Sequence, residues 1–179
     1  MTSAIQQDCF TEEAPGCARD KVASVQELAR AAAYYRAQGH TVVLAHGVFD
    51  LVHMGHVRHL EAARAEGDIL FVTVTPDQFV NKGPGRPVFP EHFRAEMLAA
   101  LECVQGVAVN RWPSAENTIE LIRPDVYVKG QDYAGQSPDI TGKISPERQA
   151  VEAHGGRIVF TDDITFSSSS LINRHLHVF

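Results

Sequence analysis

The segment Gly47 to His56, GVFDLVHMGH, sets two histidines three residues apart where an apolar run gives way to a helical pattern. Two imidazoles at a helix start can donate hydrogen bonds to phosphoryl oxygens whose negative charge grows during reaction. The first N–H groups of a helix and its positive dipole end favour the same anions. Gly47 and Gly55 leave room for a ligand to approach the backbone closely. His59 extends the series to i, i+3, i+6 but has rotated round the helix, and no nearby cysteine supplies a further ligand. The spacing therefore reads as a phosphate site in preference to a zinc site.

The elements that must hold these residues are legible on either side. Thr41 to His46 (TVVLAH) predicts a short buried strand, and Gly55 to Ala65 an amphipathic helix, so the signature sits in a strand, glycine turn, helix unit. Upstream, Ser24 and Glu27 are spaced as a capping box for a helix to about Gln38, ended by Gly39. Downstream, Asp68 to Thr75 predicts a strand, Pro76 to Pro90 a long turn-rich mobile connection, Glu91 to Leu101 a helix and Val104 to Val109 a strand. Ser114 opens a further helix that stops before Pro124, and Asp125 to Lys129 is the fourth strand. Ser145-Pro146-Glu147 starts a helix stopped by Gly155-Gly156, Arg157 to Thr161 is the fifth strand, and Ser167 to His175 a last helix. This alternation predicts an α/β, Rossmann-like doubly wound fold, a five-stranded parallel sheet with helices on both faces. In such sheets ligands bind outside the carboxyl ends of the strands, where His53, Lys82, Lys129 and Ser168 can converge.

A chain of 179 residues with 44% hydrophobic content suits a single domain, placed at residues 21–179 after a loose leader over residues 1–20. There is no long uncharged apolar run and no basic stretch followed by an apolar one, which argues against membrane insertion and export. Cys9, Cys17 and Cys103 form neither a metal spacing nor an even disulfide framework, as expected in the cytoplasm. A net charge of -6 disfavours nonspecific nucleic-acid binding, so a polyanion must be met by a local cationic pocket. The chain has twelve arginines and four lysines; Lys82, Lys129 and Lys143 follow predicted strands in loops, a placement that points to function, whereas Lys21 reads as solvated. His59 reads as a surface helix residue, and His46, His92 and His154 as structural or solvated. Neither G-x-G-x-x-G nor a P-loop is present, which disfavours dinucleotide dehydrogenases and kinases.

At His53-Met-Gly-His56 the chain resembles the nucleotidyltransferase superfamily marked by an HxGH signature. It looks most like the adenylyltransferase half of bacterial ADP-heptose synthase, and next like glycerol-3-phosphate cytidylyltransferase, from about Lys21 to Leu176. The landmarks are Gly47-Val-Phe-Asp50, Arg86-Pro-Val88 followed by Arg94, Pro124-Asp125 with Val128-Lys-Gly130, and Phe166-Ser-Ser-Ser169. The resemblance implies transfer of a nucleoside monophosphate from ATP or CTP to a phosphorylated sugar or polyol. His53, His56 and Lys82 would be catalytic. Gly47, Val48, Phe49, Asp50, Gly55, Arg94, Gly130, Asp132, Ser167, Ser168 and Ser169 would bind the nucleotide. Blander readings stand beside these: a turn for Asp50 and Asp132, core packing for Phe49, an exposed ion pair for Arg94 and a helix cap for the serines. Mg²⁺ is expected as the triphosphate counter-ion, held by substrate oxygens and water rather than by protein ligands. A homodimer is implied too, in keeping with the apolar tail Leu176-His-Val-Phe179.

The insertion Gln131 to Ile144 exceeds a routine connection, and beside Lys129 it offers Tyr133, Asp139 and Lys143 to an acceptor that carries hydroxyls and a phosphate. Thr161-Asp-Asp-Ile-Thr-Phe166 stands where the cytidylyltransferases carry an Arg-Thr-Glu-Gly stretch, so adenine and cytosine both stay open. A class I aminoacyl-tRNA synthetase shares a HIGH-type signature, but this acidic chain lacks a KMSKS-like motif. Two further alternatives are a non-catalytic nucleotide-binding sensor or assembly partner, which pyrophosphate release would separate from an enzyme, and a pantetheine- or mononucleotide-type adenylyltransferase.

Overall fold

The computed structural model describes residues 17–130 and 144–161, with side chains from Pro146 onward in the second stretch. The elements run β1 (Val22–Ala23), α1 (Val25–Ala37), β2 (Val42–Gly47), α2 (Met54–Ala65), β3 (Ile69–Val74), α3 (Glu91–Ala99), β4 (Gly106–Val109), α4 (Glu116–Ile122), β5 (Val126–Gly130), α5 (Ile144–Ala153) and β6 (Arg157–Thr161). All strand pairs are parallel, in the order β1-β4-β3-β2-β5-β6. The sheet thus has six strands where five were expected. The extra one is a two-residue edge strand, Val22–Ala23, paired with Val107 and Ala108. Two residues carry no readable alternation, and only pairing defines them as a strand.

Alternate side chains of each strand feed opposite faces. On one, Val43, Ala45, Val72, Val74 and Val128 pack with Leu60 and Ala63 of α2 and Ala95, Leu98 and Ala99 of α3. On the other, Val42, Leu44, Phe71 and Tyr127 pack with Val25 and Leu28 of α1, Ile119 and Ile122 of α4, and Val151 of α5. Strands buried on both faces explain why the sequence reads as continuous apolar runs. The Ser24 capping box forms as predicted: Glu27 N–H bonds the Ser24 hydroxyl at 3.2 Å and the Glu27 carboxylate accepts from Ser24 N–H at 2.7 Å. Ser114 does not cap α4. Ala115 holds that position, and its N–H donates to Glu147 on α5 at 3.3 Å.

The residues just before β1 are also tied to the domain. Ala18–Lys21 forms a 3-10 turn, Arg19 pairs with Glu96 of α3 at 3.2 Å, and Lys21 Nζ donates to the carbonyls of Val104 and Leu101 at 3.0 and 3.3 Å. Lys21 is therefore a tie between the start of the domain and the end of α3, not a solvated charge. No helix among the described residues is long and apolar enough to cross a membrane.

Candidate active site

Strand order reverses at β2, which lies between β3 and β5, so the crevice expected of this topology opens beyond the ends of β2 and β5. The signature leaves β2 there. Phe49 turns inward at φ 48°, a left-handed conformation unusual for a bulky residue, and its ring packs against Gly47, where a Cβ would sit 3.1 Å from it. Phe49 is buried, as the packing reading anticipated, and its ring meets His56 edge-on at 5.4 Å between centroids.

His53 is the N-cap of α2, with Nδ1 accepting from Gly55 N–H at 3.1 Å. In a neutral ring this fixes the proton on Nε2. His53 and His56 stack at 4.0 Å between ring centroids. His53 Nε2 and His56 Nδ1 are buried and have no hydrogen-bond partner among the described residues. A buried polar atom left unpaired costs roughly 1–3 kcal/mol. His53 Nε2–H, unpaired at a helix N-terminus, is a donor that an anion would satisfy, and His56 Nδ1 beside it does the same once it carries its ring's proton.

Burial holds both rings in the neutral form. It depresses His53, with Lys82 adding to the effect, and lowers His56 to about 4, helped by His53, His59 and Lys82 and opposed by a hydrogen bond to the Leu51 backbone. Because the folded protein disfavours the charged ring, the His56 contribution to stability is complete above the ordinary value of 6.5 and is lost as pH falls through the window down to about 4. The His56 ring resonances of the ligand-free protein are accordingly expected to titrate near pH 4 by NMR, and a midpoint at 6.5 would refute this environment.

The exposed Lys82 stands in the Pro76 to Pro90 connection, near enough for its charge to act on both rings. That connection is anchored rather than loose. Asp50 is buried, accepting from Arg86 Nε on one oxygen and from Val88 N–H at 2.5 Å on the other. Both carboxylate oxygens are engaged, so Asp50 shapes the site without facing a nucleotide.

Arg94 is likewise corrected. It is fully buried; Nε donates to Phe89 O at 3.0 Å, Nη1 to Val48 O, and Nη2 to Thr75 O at 2.8 Å and Asp77 Oδ1 at 2.6 Å. Its guanidinium is a strut beneath the signature loop, not a triphosphate ligand. Lys129 is buried on the opposite sheet face, paired with Glu147 at 2.9 Å and 5.3 Å from the Tyr127 ring centroid, while Tyr127 Oη donates to Glu147 at 3.0 Å. The acceptor role for Lys129 gives way to this tie between β5, α4 and α5.

His59 is no bystander: its Nδ1 lies 2.7 Å from Thr161 Oγ1, fastening α2 to the end of β6. His46 bridges Thr73 and Thr75 at 3.0 and 3.2 Å, and His154 meets Glu120 at 2.6 Å, both structural as read. Gly47, Val48 and Gly55 lie in the signature, and Gly130 closes β5 with open space over its Cα. Asp132, Tyr133, Asp139, Lys143, Ser167, Ser168 and Ser169, with the last helix and the apolar tail, fall outside the described residues. Sequence reasoning assigned no site role to Arg86 or Glu147; the signal for Arg86 was its place in the Arg86-Pro-Val88 landmark, within a glycine-proline loop. Among the described residues no three His, Cys, Asp or Glu side chains assemble as a metal site.

Residues 44–174 match the family model described as cytidylyltransferase-like. Similar curated proteins include the bifunctional protein HldE of Methylobacillus flagellatus, 39% identical over 88% of this chain, and that of Streptomyces coelicolor, 43% identical over 79%. This chain spans 31% and 29% of their lengths. A lipopolysaccharide core biosynthesis protein from Thermoplasma volcanium superposes with a TM-score of 0.58 at 24% identity, covering 71% of this chain and all of that one. Pantoate-beta-alanine ligase from Francisella tularensis, complexed with beta-gamma ATP and beta-alanine, gives 0.57 at 16%, covering 85% of this chain and 72% of that one. At these identities the two structures establish the fold alone.

Proposed function

Since the chain belongs to the cytidylyltransferase-like family of nucleotidyltransferases, we propose that it joins a nucleoside monophosphate from ATP or CTP to a phosphorylated sugar or polyol. The observation that carries this is the stacked His53–His56 pair, with an unpaired nitrogen on each ring at the N-terminus of α2. An acceptor phosphate oxygen attacks the α-phosphorus in line; the new P–O bond forms as the bond to the β-phosphate oxygen breaks, and pyrophosphate leaves with the electron pair. A phosphate monoester is already nucleophilic near neutral pH, so positioning and charge stabilisation suffice, without a general base. His53 and His56 donate to the α/β-phosphoryl oxygens, Lys82 neutralises the departing pyrophosphate, and Ser168 and Ser169 add phosphate contacts. Asp132 accepts from the ribose. Mg²⁺ rides on the triphosphate, held by its oxygens and by water, and the protein works as a cytoplasmic homodimer. The match to HldE proteins favours ATP and a sugar phosphate.

The decisive test is pyrophosphate release from each of four nucleoside triphosphates against a panel of sugar and polyol phosphates; no release from any pair would refute the reading. Within it, Lys82→Ala is expected to raise the KM for the triphosphate about tenfold. Unchanged kinetics over a full nucleotide titration would remove Lys82 from the site. Lys143→Ala is expected to raise the acceptor KM several-fold more than the nucleotide KM. Equal effects on both substrates would return Lys143 to solvent.

A further inference from the structure

We propose that Asp50 and Arg86 are positioning residues: their buried ion pair latches the Pro76 to Pro90 connection onto the signature loop and thereby fixes Lys82 beside the two histidines. The Asp50 and Arg86 side chains are 0% and 6% exposed. Asp50 binds the connection at two points, the Arg86 guanidinium and the Val88 N–H. Asp50 itself lies three residues before His53, so one carboxylate ties the loop that bears Lys82 to the loop that bears the histidines. Only Gly83-Pro84-Gly85 separates Lys82 from Arg86, and both glycines hold left-handed φ values, 95° and 71°. Three intervening residues limit how far Lys82 can stray once Arg86 is held.

The pair is a poor device for stability alone. Arg86 Nη2 is buried with no partner among the described residues, and a buried ion pair that leaves a donor unpaired often stabilises less than an apolar pair of the same volume. Its arrangement is better suited to fixing one loop against another. Val88, beside it, is 40% exposed, so its own side chain adds little apolar burial to hold that part of the connection in place.

The first test does not depend on catalysis. Trypsin cuts after exposed lysine but not at the Arg86-Pro87 bond, which makes cleavage between Lys82 and Gly83 a reporter of the latch. Asp50→Asn and Arg86→Gln are expected to speed that cleavage about tenfold or more in protein that still unfolds cooperatively, with Arg86→Lys falling between them and the unaltered chain. An unchanged rate in folded variants overturns the latch. Should either variant fail to fold, Arg86→Lys decides by the same criterion.

The second test rests on the proposed function. Both substitutions are expected to raise the KM for the triphosphate about tenfold with a smaller change in kcat, and to add nothing once Lys82 is alanine. Full additivity with Lys82→Ala shows that the pair does not act through Lys82 and overturns that part of the proposal. If the unaltered protein releases no pyrophosphate with any substrate pair, the functional reading fails, and the cleavage rates still decide the latch.

Discussion

His56→Ala is expected to lower turnover by about 100-fold or more while the protein stays folded, the loss typical of one preorganised donor to a developing oxyanion. The ring supplies little that the fold needs. It stacks on His53, meets the Phe49 ring edge-on, makes one bond to the Leu51 backbone and lies in the first turn of α2, where alanine is a good helix former. Its removal also deletes a buried polar nitrogen that has no partner among the described residues. Circular dichroism and thermal melting would establish the fold, and pyrophosphate release at saturating substrates the turnover. A folded variant with near-normal turnover would strip His56 of its catalytic role. His53→Ala makes a less clean experiment, because it also removes the N-cap bond to Gly55.

The largest loss of stability is expected at Arg94. Replacement by leucine keeps the apolar stem but orphans the carbonyls of Val48, Phe89 and Thr75. Unpaired buried acceptors cost roughly 1–3 kcal/mol each, so a loss of about 3 kcal/mol or more is expected from urea unfolding at unchanged slope. Lysine would not rescue it, since an ammonium cannot span acceptors arranged for a planar fork. The Asp77 partner is 40% exposed and can turn to water, so the carbonyls dominate the penalty. A loss below 1 kcal/mol would show that the loop closes over the gap.

Both experiments bear on what a sequence reveals. Periodicity and punctuation located α1 and its cap, β2 to β6 within a residue or two, and the turn that carries the histidines, because each depends on neighbours in the chain. Charged side chains near a motif are another matter. Arg94 and Lys129 sit beside landmark residues and read as ligands, yet their charges are spent on Val48, 46 residues earlier, and on Glu147, 18 residues later. Spacing cannot disclose a partner that only the fold brings near. The same limit made Asp50 read as a nucleotide contact and the Pro76 to Pro90 connection as loose, since neither shows in sequence that Arg86 joins them. The two-residue β1 escaped for a different reason: it has no pattern of its own and exists through pairing with β4.

The placement of β2 at the centre of the sheet has a consequence for how the chain is made. β3 follows it off the ribosome within one helical crossover, but its other neighbour, β5, pairs Val126 with Val43, 83 residues later. At about 5–20 residues per second, synthesis leaves one side of β2 without its strand for roughly 4–17 seconds. During that interval the strand leading into the histidine loop is an uncovered apolar edge, the kind of surface on which nascent chains aggregate. Slow translation before residue 130, or a shortage of chaperones, would therefore reduce the yield of soluble protein without altering any property of the molecules that mature.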